Sequence, residues 1–250
     1  MLIDTHAHIY MLENPAEAIE EAFVAGVGRM IVPTAAEDEF ETVLELCHKY
    51  DELYALLGVH PEDCEKFSDK TASKMLELAH DPKVVGIGEI GLDYHYSKEN
   101  KTAQKNCFIN QLEIAKKLNL PVVIHDRDAH FDTFEILRES KVQNVLLHCF
   151  SGSVEFMKQC CNMGYKIALG GVVTFKNAKT AKEVAEAIDL GDLMLETDCP
   201  YLAPHPYRGE ENSPKYIGFI AKEIANLKNI PYDSVVSRTT ENAKLFFNIN

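Results

Sequence analysis

Short runs of β-branched and other apolar residues alternate with longer stretches of helical period from one end of the chain to the other. The runs predict strands at 2–4, 29–32, 54–58, 84–89, 121–125, 145–148, 166–169 and 193–196. Between them, apolar residues three and four apart predict amphipathic helices at 15–25, 40–49, 102–118, 133–138, 154–163 and 180–188. Asn14 caps the first of these and Gly26 closes it. The proline-rich stretch 200–214 reads as one long loop from the last strand into a helix at 215–227, and 233–247 as an additional closing helix. The strand runs are almost continuously apolar, as a sheet covered on both faces requires. Eight strand–helix units in 250 residues predict an α/β fold, a (β/α)8 TIM barrel in a single domain spanning residues 1–250. An open doubly wound sheet is the rival that strand count does not separate.

The informative polar residues stand where the apolar runs stop. Asp4-Thr5-His6-Ala7-His8 ends the first strand, and His60 follows the third in Gly58-Val59-His60-Pro61. Glu89 ends the fourth, His125 the fifth and His148 the sixth, and Asp198 follows the eighth. If the strands close, these C-terminal ends converge on the face where barrel active sites lie. His6 and His8, two apart in extended chain, leave the same side. Taken alone, a His-x-His pair favours packed or surface histidines. Four histidines and two carboxylates, each ending an apolar run, point instead to metal chemistry. Six ligands exceed one tetrahedral zinc site, so two divalent ions are the simpler arrangement. Glu89 would bridge them, with His6, His8 and Asp198 completing one site and His125 and His148 the other. His48, His80, His95, His130 and His205 lie in helical segments or loops and read as structural or solvated.

Composition narrows the partners. The chain carries 25 Lys+Arg against 39 Asp+Glu, a net −14, which excludes a basic scaffold that coats nucleic acid. Two dications against two carboxylates leave about +2 locally, enough to hold one phosphate on an acidic protein. Seven scattered cysteines read as reduced core thiols, which predicts a cytoplasmic protein. No apolar run reaches the length of a membrane span. No membrane partner and no obligate protein partner is evident.

At these residues the sequence resembles the TatD-type metal-dependent deoxyribonucleases, a branch of the amidohydrolase superfamily. The resemblance runs from Asp4 to Asn242 through Gly58-Val59-His60-Pro61, Gly86-Ile87-Gly88-Glu89-Ile90-Gly91-Leu92-Asp93-Tyr94, Ile124-His125-Asp126-Arg127 and His148-Cys149-Phe150-Ser151-Gly152. Its most specific block is Glu196-Thr197-Asp198-Cys199-Pro200-Tyr201-Leu202-Ala203-Pro204, continued by Arg208-Gly209-Glu210-Glu211-Asn212-Ser213-Pro214. The resemblance implies a metal-dependent nuclease on a (β/α)8 barrel that trims DNA from 3′ ends. Its metal positions fall on His6, His8, Glu89, His125, His148 and Asp198. Glu89 stands where many amidohydrolases use a carboxylated lysine. One departure is Glu62, where family members often carry a second histidine.

The expected activity is hydrolysis of DNA phosphodiesters, on single strands or 3′ ends, by a metal-bound hydroxide, with two divalent ions per subunit (Zn2+, Mn2+ or Mg2+). Asp198 would act as general base. His60 would contact phosphate or protonate the leaving oxygen, against the simpler role of ordering its loop. Arg127 and Arg208 would clamp phosphate with their guanidinium forks, against the simpler role of structural salt bridges. The alternative is a small-molecule amide, lactone or ester hydrolase, because the same ligands serve a carbonyl. An interaction module with a vestigial site would lack ligands, and none is missing. No recognition-helix pattern marks sequence-specific DNA binding.

Overall fold

Each apolar run becomes a strand in the computed structural model, which describes residues 1–96 and 99–250. The strands are β1 (Leu2–Asp4), β2 (Val27–Pro33), β3 (Leu53–Leu57), β4 (Val84–Asp93), β5 (Val122–Arg127), β6 (Val145–Leu147), β7 (Lys166–Leu169) and β8 (Leu193–Leu195). They form one sheet in the order β1 to β8, the order of the chain, and the register of the paired strands is parallel. This is the (β/α)8 barrel fold. Helices fill the intervals: α1 (Pro15–Val24), α2 (Phe40–Lys49), α3 (Asp69–Leu78), α4 (Lys101–Leu118), α5 (His130–Ser140), α6 (Val154–Asn162), α7 (Lys179–Ala187), α8 (Ile217–Lys228) and α9 (Tyr232–Phe247).

Three elements differ most from the sequence expectation. α3 was absent from it, although Ser68 caps this helix by accepting from the Thr71 N–H at 3.3 Å. β4 runs four residues past Glu89, because Gly91, Leu92 and Asp93 continue the register opposite His125, Asp126 and Arg127. Gly91 permits this: its φ is +146°, and a Cβ there would run into the His125 carbonyl oxygen. α5 starts at His130 rather than Thr133, so His130 opens a helix and does not sit in a loop. Its ring Nδ1 lies 2.7 Å from Asp126 Oδ2. At the other ends, α4, α8 and α9 stop at the left-handed residues Asn119, Asn229 and Asn248, a backbone conformation that asparagine tolerates better than most.

The chain forms two compact units, Met1–Val32 with Cys149–Asn250, and Pro33–His148. In the first, α9 packs on β1 and β8, and α8 packs on α7 and α9, around buried Ile3, Ile167, Leu195, Ile220 and Phe247. The two ends of the sheet meet inside this unit. The Thr5 N–H donates to the Leu195 carbonyl at 3.0 Å, and the Asp4 carboxylate accepts from Thr197 through both its backbone N–H (2.9 Å) and its hydroxyl (2.5 Å). In the second unit, α2 packs on β3 and α4 on β4, around Phe40, Leu56, Met75, Ile87 and Phe108. All ten residues of β4 are buried, which accounts for its apolar and small residues and makes Glu89 and Asp93 stand out among them. No helix among the described residues is long and apolar enough to cross a membrane.

Candidate metal centre

His6 and His8 follow β1 in a buried turn whose backbone is tied to the segment after β8. The Asp198 N–H donates to the His6 carbonyl at 2.9 Å, and the His8 N–H donates to the Cys199 carbonyl at 2.9 Å. Asp198 itself holds a left-handed φ of +58°, an uncommon conformation that Asp tolerates and that clusters at functional sites. The result brings the three side chains together. His6 Nε2 and His8 Nε2 are 3.2 Å apart, and each lies 3.9 Å from Asp198 Oδ1. Behind them sits Asp4, fully buried. Burial outweighs its hydrogen bonds from Thr197 and His6 and pushes its carboxyl up to about 8.

A second set forms in the other unit, on β4, on β5 and just after β6. Glu89 Oε1 lies 2.6 Å from His125 Nδ1 and 2.7 Å from His148 Nε2, and those two nitrogens are 3.4 Å apart. His60 joins them from the loop after β3, with Nε2 3.7 Å from Glu89 Oε1 and its ring edge-on to His125 at 4.4 Å. Its Nδ1 accepts from the Glu62 N–H at 3.2 Å, a bond that orders the loop and leaves the ring proton on Nε2. Burial lowers the His60 pKa to about 4, so the ring is neutral at neutral pH.

Asp93 was not singled out from the sequence. Its Oδ2 lies 3.0 Å from His125 Nε2, and its Oδ1 accepts from the N–H groups of His95 (2.8 Å) and Tyr96 (3.1 Å). Burial works against the charged carboxylate, yet the bonds from His125, Tyr96 and His95 hold its pKa down at about 2. The same contacts raise His125 to about 9: burial opposes the charged ring, and the hydrogen bonds to Asp93 and Glu89 outweigh it. The signal that could have found Asp93 is strand parity. It is four residues beyond Glu89, and alternate residues of an extended strand share a face.

The imidazole pairs have the spacing that divalent cations need. A tetrahedral ion with bonds of about 2.0–2.1 Å to nitrogen or oxygen places its donor atoms roughly 3.3–3.4 Å apart. The His6–His8 and His125–His148 nitrogens stand at 3.2 and 3.4 Å. Each pair of imidazoles is joined by one carboxylate, Asp198 or Glu89, the borderline ligand mixture that zinc, manganese and related ions accept. Asp93 behind His125 adds the carboxylate–histidine arrangement that fixes the ring and leaves Nδ1 as the donor.

Neither arginine joins these sets. Arg127 ends β5, with its guanidinium 4.7 Å from the Tyr96 ring centre, and Arg208 lies 3.8 Å from the Phe175 ring centre. Among the described residues neither forms a close ion pair with a carboxylate, although Arg127 acts on Glu62 electrostatically at longer range.

Comparison with known proteins covers the whole chain. The family described as TatD related DNase matches residues 3–248. The uncharacterized metal-dependent hydrolase YabD of Bacillus subtilis is 43% identical over 255 residues, covering all of both chains. The uncharacterized metal-dependent hydrolase YcfH of Escherichia coli K12 is 34% identical, covering all of this chain and 96% of its own. The crystal structure of YjjV, a TatD homologue from E. coli K12, superposes with a TM-score of 0.94 at 32% identity, covering 100% of this chain and 98% of that one.

Proposed function

Since the chain belongs to the TatD-related DNase family and is a metal-dependent hydrolase, we propose that the bond it hydrolyses is a phosphodiester of DNA, taken from the 3′ ends of single strands. The observation that carries this reading is the close approach of His6, His8 and Asp198, and of Glu89, His125 and His148, in a chain matched by a DNase family over residues 3–248. One ion is proposed on His6, His8 and Asp198, and one on Glu89, His125 and His148. Bound there, a divalent cation supplies Lewis acidity toward a phosphate oxygen and lowers the pKa of a water toward neutrality.

The chain's own groups supply the rest. Asp198 is proposed to accept the proton of the attacking water as general base, a role suited to a carboxylate in a site that is nearly but not wholly closed, at 9% exposure. His60, neutral and with its proton on Nε2, is proposed to donate to the phosphate or to the leaving oxygen rather than to serve as an imidazolium acid. Arg127 and Arg208 are proposed to hold phosphate through their guanidinium forks.

The test is cleavage of end-labelled single-stranded DNA by metal-stripped protein with Mg2+, Mn2+ or Zn2+ restored separately, beside Asp198→Asn protein. A metal-dependent 3′ ladder that falls by at least two orders of magnitude in the variant is expected, the size typical of losing a general base. Full activity in Asp198→Asn would remove its assigned role. No DNA cleavage with any cation, in protein that retains bound metal, would redirect the search to amides and esters.

A further inference from the structure

The loop after β7 and the loop after β8 enclose a cleft of about 530 Å³, which Phe175, Lys176, Asn177, His205 and Arg208 line. Its walls are fixed to each other. Thr174 Oγ1 accepts from the His205 N–H at 2.8 Å and donates to the Gly171 carbonyl at 2.7 Å. A Cβ on Gly171 would run into the Leu202 carbonyl oxygen, so glycine is what lets the two loops touch. Asn212 Nδ2 pins the base of the second loop by donating to the carbonyls of Thr197 (2.7 Å) and Tyr201 (2.6 Å). A cleft held this way is formed before any ligand arrives, which lowers the cost of binding.

Its electrostatics run against those of the chain. In a protein of net charge −14, Lys176 and Arg208 both face the cleft, and among the described residues neither has a carboxylate partner. α7 begins at the cleft's edge, where its N-cap, Ala178, provides no side-chain cap and the first turn holds no acid. The positive end of that helix therefore adds to the two cations. The acidic residue nearby, Glu210, lines a smaller hollow next to the cleft that Arg208 also borders. The Arg208 guanidinium carbon lies 3.8 Å from the Phe175 ring centre, a cation–π contact that helps hold the cation in place, and a guanidinium plane can also stack on a base. Cations over an open, aromatic-floored trough suit a charged polymer passing across it better than an apolar molecule.

We propose that this cleft is a second binding site for single-stranded DNA, holding a backbone phosphate and the base next to it, beyond the nucleotide being cut. The proposal rests on the nuclease reading above and extends it to substrate length. Both walls leave the C-terminal ends of the paired strands β7 and β8, the end at which Asp198 stands. His205 is seven residues beyond Asp198, at most roughly 25 Å of extended chain. A strand held at Asp198 thus reaches the cleft within a few nucleotides, and long substrates gain a grip that a dinucleotide lacks.

Two measurements test this on metal-loaded protein: wild type, Lys176→Gln, Arg208→Gln and a control, Lys117→Gln, on the exposed side of α4, each checked for folding by circular dichroism. In the first, a fluorescent phosphorothioate single strand, resistant to cleavage, is titrated at a series of salt concentrations. Each lost phosphate contact reduces the slope of log K against log[salt] by about 0.7. That reduction is expected in both cleft variants and not in the control. In the second, the ratio of kcat/KM for a long oligonucleotide over that for a dinucleotide is expected to shrink in both cleft variants. Slopes and ratios equal to wild type in both variants overturn the cleft. Wild-type protein that binds the strand but cleaves no DNA overturns the nuclease reading instead, and the slopes still decide whether the cleft holds DNA.

Discussion

Asp93 accepts hydrogen bonds at both carboxylate oxygens, one from His125 and the other from the N–H groups that begin the following loop. It therefore sets which His125 nitrogen would face the proposed cation. Replacing Asp93 with Ala is expected to weaken metal retention by about 10–100-fold, the usual cost of removing such a partner, while Asn recovers part of it through its carbonyl. Competition with a chromophoric chelator measures both variants, and an unchanged affinity in Asp93→Ala would assign Asp93 to loop order alone. The polar residues that end apolar strands were legible in the sequence because nothing in a buried strand explains them. Asp93 was not, because it lies past the point where the apolar run stops. Its role depends on a register, Asp93 opposite Arg127 and two residues on from His125, that only the pairing of β4 with β5 creates. Arg127 and Arg208 show the converse limit. Their chemistry was readable, but their aromatic neighbours Tyr96 and Phe175 come from separate segments of the chain.

β4 and β5 form the element pair on which the second donor set stands, and Gly91 is the point of closest approach. With φ +146° and the His125 carbonyl in the way of a Cβ, Gly91→Ala is expected to cost about 2–6 kcal/mol through combined backbone strain and overpacking. Urea unfolding midpoints read this, and a loss below 1 kcal/mol would mean that β5 shifts freely to make room. The start of α5 carries a pH-dependent element. Hydrogen bonding to Asp126, partly opposed by burial, raises the His130 pKa above 6.5. The stabilisation is thus complete below the unfolded value and fades as pH rises through the folded one. The midpoint difference between wild type and His130→Gln should be largest in mild acid and vanish in base; a difference that grows with pH would reverse the assignment. Helix existence was mostly readable from period, yet α3 was missed. Only Thr71 and Met75 of its ten residues are buried, so its apolar stripe is too thin to register, and the Ser68–Thr71 cap was the remaining cue.

At the scale of the molecule, strand order equals chain order, which is why counting strand–helix units along the sequence anticipated the fold. The rival open sheet is excluded by contacts with no local signature: Thr5 to Leu195 and Asp4 to Thr197, about 190 residues apart. Metal binding to the folded chain alone should also stabilise it. At a free cation concentration of 100 Kd each occupied site adds about 2.7 kcal/mol, a rise in Tm of roughly 5–11 °C per site for a chain of this size. Calorimetry after chelation and again after metal return measures it, and an unchanged Tm would show that neither donor set retains an ion. The link between the two ends of the chain bears on synthesis. His6 and His8 precede Asp198 by about 190 residues in the order of synthesis. A nascent chain cannot complete the proposed first donor set until Asp198 has been made, so any hydrolysis that depends on that set waits on the order of synthesis itself.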